Sequence, residues 1–146
     1  MIDVRFPTTL QMMLSLALAR TEGIERLSSA QLAEGIGSNP TFVRRLLVPL
    51  IQAGLIRSTM GRDGGVSLSA DAAAITLGEI YKATMGDKRL WTGRSDIPHR
   101  CLVSCNVEQF FGNLADDVDE SVVRLLGGRT LADALAELRI LDGARV

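Results

Sequence analysis

The residues of this chain whose types and spacing could do chemistry lie together between positions 99 and 105. Cys101 and Cys105 are its only cysteines, and His99 is its only histidine. Thiolates and imidazoles bind zinc, iron–sulfur clusters are held mainly by thiolates, and two thiols can be oxidised to a disulfide. The spacing is therefore compatible with a metal site, a redox switch or two cysteines that only pack.

The metal-site interpretation lacks ligands. Zinc sites use three or four protein ligands, and His99, Cys101 and Cys105 supply three at most. An iron–sulfur cluster would need a further ligand from elsewhere, for example across a dimer, and such clusters mostly use cysteine. The three residues are candidate metal ligands in an incomplete set, so the cofactor stays open. The absence of any cofactor is favoured over an iron–sulfur cluster.

A redox switch needs only the two thiols. Oxidation would join Cys101 and Cys105 within the segment or between subunits. On a regular helix, positions i and i+4 would place both sulfurs on one face, near the edge of disulfide reach. The adjacent Arg100 and the positive end of a following helix would favour a thiolate. Cysteine also packs as a small buried hydrophobic residue, so an inert pair stays open beside the sensor.

The bulk properties indicate a globular chain. Its 146 residues suit one domain, or a small domain with an assembly element, and 47% of them are hydrophobic. No apolar run approaches the roughly 18 residues that span a bilayer. The N-terminus lacks the features of a signal peptide, so we expect a cytoplasmic protein. Residues 1–70 carry a net charge of +2 and residues 71–146 one of −3, which suits a nucleic-acid module joined to a second element.

Hydrophobic periodicity predicts three helices in the first part of the chain. The first runs over about 7–22, and Ser28 with Gln31 forms a capping box that begins a second, short helix. A third helix starts near Pro40, which suits a first turn. Pro49 predicts a kink in this helix or its early end.

A hairpin and three further helices follow. Strands are predicted at 55–59 and 66–68, with glycines at the turn, and a short helix at 75–85. A polar loop precedes the longest helical pattern, which runs from about Asn106 to Leu126. Thr130 with Asp133 then begins a final helix.

This order of elements is the plan of a winged helix-turn-helix, so we expect a mainly α fold with a small β-hairpin wing and a long dimerisation helix. The helix after the tight turn would enter a major groove, with its N-terminal turn and outer face reading the bases. The wing would hold the flanking backbone or minor groove. The candidate DNA contacts are Ser38, Asn39, Thr41, Arg44, Arg45, Arg57 and Arg62.

The long helix has too wide an apolar face for a helix surrounded by water. We expect it to join two copies, because such modules usually read two half-sites as dimers; packing onto its own domain is the alternative. The candidate interface residues are Val107, Phe111, Leu114, Val118, Val122 and Leu125. The chain then divides into a DNA-binding domain, a sensor or linker loop, and a dimerisation helix with a C-terminal helix, at 1–85, 86–105 and 106–146.

Three stretches of sequence resemble the Rrf2 family of bacterial transcription regulators over nearly the whole chain. They are LSSAQLAEGIGSNPTFVRRLLVPLIQAGLIRS, GRDGGVSLS and ADAAAITLGEIYKAT, followed by a cysteine-bearing loop and a long helix. The resemblance implies a homodimer with a winged helix-turn-helix at each end and crossed long helices between. It also implies binding to a palindromic operator, often in repression.

The chain departs from that family at two places. Some members carry three cysteines in this segment and bind an iron–sulfur cluster there, whereas this chain has two, four positions apart. Many relatives place an arginine just before the first wing glycine, where it enters the minor groove. This chain has Met60 there, which puts minor-groove reading in doubt unless Arg62 substitutes.

No pattern favours an enzyme, because the chain lacks a paired base and nucleophile and GRDGG lacks the strand-to-helix context of a nucleotide loop. The competing function is a dimeric winged-helix module that binds proteins instead of DNA, which Met60, Pro49 and the low charge favour. We expect a homodimeric regulator, a repressor, that binds palindromic double-stranded DNA and responds to redox through Cys101 and Cys105.

Overall fold

The computed structural model describes residues 2–86 and 88–145. Within them, six α-helices and one antiparallel hairpin confirm the mainly α fold with a small wing. None of the described helices is long and apolar enough to cross a membrane. The elements are α1 (Arg5–Thr21), α2 (Ser29–Ile36), α3 (Pro40–Gln52), β1 (Ile56–Thr59), β2 (Gly65–Leu68), a 3₁₀ turn (Ala72–Ala74), α4 (Leu77–Met85), α5 (Leu102–Gly127) and α6 (Leu131–Gly143).

Local capping interactions form the helix-turn-helix. The Ser28 hydroxyl accepts the Gln31 backbone N–H at 3.1 Å, and the Gln31 side chain accepts the Ser28 N–H at 2.8 Å, which confirms the predicted capping box. α2 ends at Gly37, whose φ of 65° is one that favours glycine. Asn39 caps α3 by accepting the Thr41 N–H at 2.8 Å. The turn between the two helices is therefore short and defined by its own side chains.

Pro49 does not end α3 early, so the second of the two predicted outcomes was wrong. The helix continues through Pro49 to Gln52 as one element. Proline removes the N–H that would bond to the Arg45 carbonyl, but its fixed φ is compatible with a helix. Leu46 and Leu50, on either side of it, are buried in the core and hold both parts of the helix in register.

The wing is fixed against the start of α2. Leu27 pairs with Val66 through both its backbone groups, the N–H at 3.0 Å and the carbonyl at 2.8 Å. Gly65, which pairs with Thr59 across the hairpin, approaches the same backbone. A Cβ on Gly65 would lie 2.6 Å from the Leu27 carbonyl oxygen, so this approach requires glycine.

One hydrophobic core joins the first four helices and the hairpin, and α6 contributes to it. Met12 of α1, Leu50 of α3, Ile80 of α4 and Leu131 of α6 are all 0% exposed. The segments before α4 and α6 also pair, because the Leu131 N–H bonds to the Ile75 carbonyl at 2.8 Å. The C-terminal helix is thus tied to the winged domain.

α5 begins about one turn before the expected start near Asn106. Cys101 and Ser104 form a capping box at Leu102, so Cys105 lies inside the helix and not in the preceding loop. The far end of α5 packs closely on α4, where a Cβ on Gly78 would lie 3.0 Å from the Gly127 backbone nitrogen. Within α5, only Ala115 is buried, so most of this helix projects from the core.

Candidate nucleic-acid interface and cysteine site

The N-terminal turn and outer face of α3 bring together five of the predicted DNA contacts. Asn39, Thr41, Arg44 and Arg45 are exposed, and Ser38 is half-buried in the turn before them. Arg44 Nη2 donates to Thr41 Oγ1 at 3.5 Å, while the Asn39 side chain is occupied in capping the helix. Two guanidinium groups beside the positive end of a helix suit contact with phosphates and base edges.

Arg57, another predicted DNA contact, is held at the base of the wing. Its Nη2 donates to the Ser69 carbonyl at 2.9 Å, and Arg20 Nη1 donates to the neighbouring Ala70 carbonyl at 3.1 Å. These two bonds connect β1 and α1 to the chain just after β2. Nothing in the local sequence indicates this role of Arg20, because its partner lies 50 positions away along the chain.

Arg62 lies apart from the other predicted contacts, in the exposed turn between β1 and β2. Among the residues that the structure describes, Arg62 forms no ion pair, with Asp63 or with any other acid. Its guanidinium is therefore available to an external anion such as a phosphate.

Cys101 is the N-cap residue of α5. Its Sγ accepts the Ser104 backbone N–H at 3.5 Å, and the Ser104 hydroxyl accepts the Cys101 N–H at 3.0 Å. The Ser104 backbone N–H, the Ser104 hydroxyl and the Val103 backbone N–H, in that order, lower the pKa of the Cys101 thiol. Because Cys101 is exposed, its sulfur is accessible to oxidants and alkylating agents, which react with the thiolate form.

Within one chain, the residues around Cys101 do not supply a complete set of metal ligands. Cys105 is an exposed free thiol one turn further along α5, and His99 is exposed in the segment before it. Within residues 2–86 and 88–145, no three side chains from His, Cys, Asp and Glu are close enough to hold a metal ion. Iron–sulfur clusters typically take four cysteine ligands, so this donor set does not fit one.

The predicted dimer face of α5 contains a more exposed set and a half-buried set of apolar residues. Leu114 and Leu125 are 39% and 66% exposed. Val103 and Phe110, which were not among the candidate interface residues, are 67% and 59% exposed. These four residues, here called the apolar stripe, follow one side of the helix at spacings of seven, four and eleven. Phe111 is 36% exposed. The half-buried members of the predicted set are Val107, Val118 and Val122.

The segment before α5 folds back along that helix. Trp91 Nε1 donates to the Phe111 carbonyl at 3.0 Å, and Arg89 Nε lies 3.6 Å from an Asp119 carboxylate oxygen. Trp91 therefore anchors this segment to the long helix. The ion pair was not predicted, because nothing in the local sequence identifies its partner.

Comparisons with known proteins match most of the chain to transcriptional regulators. The Rrf2 family, described as iron-dependent transcriptional regulators, matches residues 2–137. The HTH-type transcriptional regulator YwnA of Bacillus subtilis (strain 168) is 27% identical over 114 residues, which are 78% of this chain and 85% of that protein.

Two solved structures have the same fold. A protein described as a transcriptional regulator from Lactobacillus plantarum superposes with a TM-score of 0.78 at 24% identity, covering 94% of this chain and 91% of the other. The oxidised form of Staphylococcus aureus CymR superposes with a TM-score of 0.62 at 27% identity, covering 92% and 95%. The arrangement of α1–α6 around the wing is therefore shared with both.

Proposed function

Because the chain belongs to the Rrf2 family and is a winged helix-turn-helix transcription regulator, we propose that it represses transcription by binding a palindromic operator as a homodimer. The exposed edge of α3 carries the proposal, since Arg44 and Arg45 lie there beside the Asn39 cap. Guanidinium groups donate bidentately to guanine edges and to phosphates. Ser38 and Thr41 flank them, and Arg57 and Arg62 bring the wing to the adjoining backbone.

The homodimer in this proposal forms through α5. The apolar stripe exposes two large side chains, Phe110 and Leu125, by 59% and 66%. Contiguous exposed apolar surface of this kind marks an interaction site, and a second copy offers an identical stripe. The predicted residues Val107, Phe111, Leu114, Val118 and Val122 would border or join the contact.

In this proposal, each of three consecutive parts of the chain has one task. Residues 1–85 bind DNA, residues 86–105 receive the signal and residues 106–146 assemble the dimer. The protein would act where the bacterial DNA lies, in the cytoplasm, and without a catalytic reaction of its own. A signal at the N-terminus of α5 would shift the population between dimers whose two α3 helices fit the half-sites and dimers whose helices do not.

The signal we propose is a peroxide. The Cys101 thiolate attacks one peroxide oxygen, which breaks the O–O bond and gives a sulfenic acid, and the departing oxygen takes a proton from water to leave as an alcohol or water. The Cys105 thiol then attacks that sulfur, forming the disulfide and releasing water. Since Cys101 Sγ accepts the Ser104 N–H, disulfide formation would remove the cap and loosen the first turn of α5. The solved oxidised form of S. aureus CymR, a relative of similar fold, supports a redox response.

Gel shifts at several salt concentrations test the DNA-binding proposal. The probes are fragments from around the protein's own gene, with reduced protein. Changing Arg44 or Arg45 to Ala should weaken binding by about 1–3 kcal/mol if the side chain reads a base. If it holds a phosphate, the salt slope should fall by about 0.9. Arg124→Ala removes an exposed arginine of α5 and serves as the control.

Treating the protein with peroxide before the same gel shifts tests the proposed signal. Oxidised wild-type protein should release the fragment, and Cys101→Ser should retain it with and without peroxide. If no fragment binds, or if neither α3 arginine affects binding, the proposal is wrong and a protein-binding winged-helix module becomes the better explanation.

A further inference from the structure

The tip of the wing carries an apolar side chain with no partner in the chain. Met60, directly after β1, is 91% exposed, a larger fraction than that of any other large hydrophobic residue among those described. An exposed methionine gains no burial energy on folding. Met60 therefore does not stabilise the winged domain, and its position calls for a role outside the core.

The backbone beneath Met60 is held in place. Leu27 pairs with Val66 at the other strand of the wing. At the base, Arg57 and Arg20 donate to consecutive carbonyls after β2, at 2.9 and 3.1 Å. A hairpin fixed in this way presents its tip at a set position relative to α3, while the Met60 side chain stays unpacked.

The two side chains at the tip of the wing, Arg62 and Met60, suit different contacts with DNA. Arg62 supplies a cation that suits a phosphate. Met60 has no charge and no hydrogen-bond donor, so it cannot hold the backbone of DNA. Unbranched or bulky apolar side chains, methionine among them, are the groups that proteins insert between base pairs from the minor groove, which unstacks a step and bends the duplex.

We propose that Met60 enters the minor groove beside the bases contacted by α3 and acts as a wedge between two base pairs. The proposal rests on the proposed DNA binding and adds a residue that determines specificity. Flexible pyrimidine–purine steps unstack most readily, so the operator should carry such a step where the wing meets it. Arg62 holds the phosphate next to the wedge.

Met60→Ala and Met60→Leu test the wedge on a fragment that the wild-type protein binds in gel shifts. Because Met60→Ala removes most of the apolar contact, affinity should fall by roughly tenfold. The bend angle, measured by circular-permutation gels, should also decrease. The salt dependence should not change, since no charge is lost. Met60→Leu should keep both the affinity and the bend.

Arg62→Ala is the matched control at the same tip, because it should reduce the salt dependence and leave the bend largely in place. Thermal melting of Met60→Ala should equal that of the wild-type protein, which excludes misfolding. Equal affinity and equal bending for Met60→Ala and wild type would overturn the wedge while DNA binding stood. A wild-type protein that binds no fragment would overturn the wedge together with the proposed function.

Discussion

α3 and α5 both carry apolar residues at helical spacing, but the two helices use them differently. Val43 and Leu50 of α3 are 0% exposed, and the opposite face of that helix carries the exposed arginines. On α5, only Ala115 is buried, and Phe110 and Leu125 remain 59% and 66% exposed. The apolar face of α3 is satisfied within one chain, whereas that of α5 is only partly covered.

This difference fits the two tasks proposed for the two regions. A helix whose apolar face is fully packed is a rigid platform, which suits a surface that must match the geometry of a DNA groove. A helix with a remaining apolar stripe is incomplete alone, which suits an element that assembles two copies. Cys101 lies at the start of the second region, away from the packed core.

The largest expected effect comes from a charge in the apolar stripe. Phe110→Asp should raise the dimer dissociation constant at least about a hundredfold, because each dimer would bury two uncompensated carboxylates. Sedimentation equilibrium measures the change. Gln109→Asp, one position along the same helix and off the stripe, should leave the dimer intact. If the wild-type protein is monomeric, or if Phe110→Asp dimerises as tightly as wild type, the apolar stripe of α5 does not assemble the dimer.

Truncation inside α3 should have the next largest effect. Leu50→Ala should lower the free energy of unfolding by about 2–5 kcal/mol, because it leaves a cavity in the closed core. Urea denaturation monitored by circular dichroism measures it. The control is Val48→Ala on the same helix, since Val48 is 51% exposed and should change stability by only about 0.5 kcal/mol. Similar losses for the two variants would show that α3 is not packed as described.

The capping boxes at the starts of α2 and α5 provide a matched pair across the same boundary. Ser28→Ala, at the start of α2, should destabilise the whole domain by about 1 kcal/mol, because α2 is part of the core. Ser104→Ala, at the start of α5, should cause fraying of the first turn with little change in the melting midpoint. Amide hydrogen exchange resolves local fraying from global unfolding. Equal global losses would place the N-terminus of α5 in the cooperative core.

The smallest effect is a shift in the pH profile of one thiol. Since hydrogen bonds from Ser104 favour its thiolate, Cys101 has a lowered pKa in the folded protein. In a Cys105→Ser background, the rate of alkylation by iodoacetamide should therefore rise at a lower pH in the folded protein than in urea. Coincident profiles would show that the helix end does not activate Cys101.

Much of the winged domain follows from the sequence, because its signals are local. Ser28 with Gln31 and Thr130 with Asp133 begin helices where predicted, since a capping box depends on residues three positions apart. The core positions of α3 follow from periodicity, and the glycines mark the wing turn. Each of these signals lies within a few residues along the chain.

Only the tertiary structure decided which faces of those elements pack against one another. Periodicity shows that α5 has a wide apolar face, but not which part packs in its own chain, so Phe110 was left out of the candidate interface. Val103 was missed because the helix begins earlier than predicted. The bonds of Arg57 and Arg20 at the wing base join residues far apart in sequence, as does the approach of Gly78 to Gly127. Such contacts depend on which elements meet in space, and a one-dimensional pattern does not specify that.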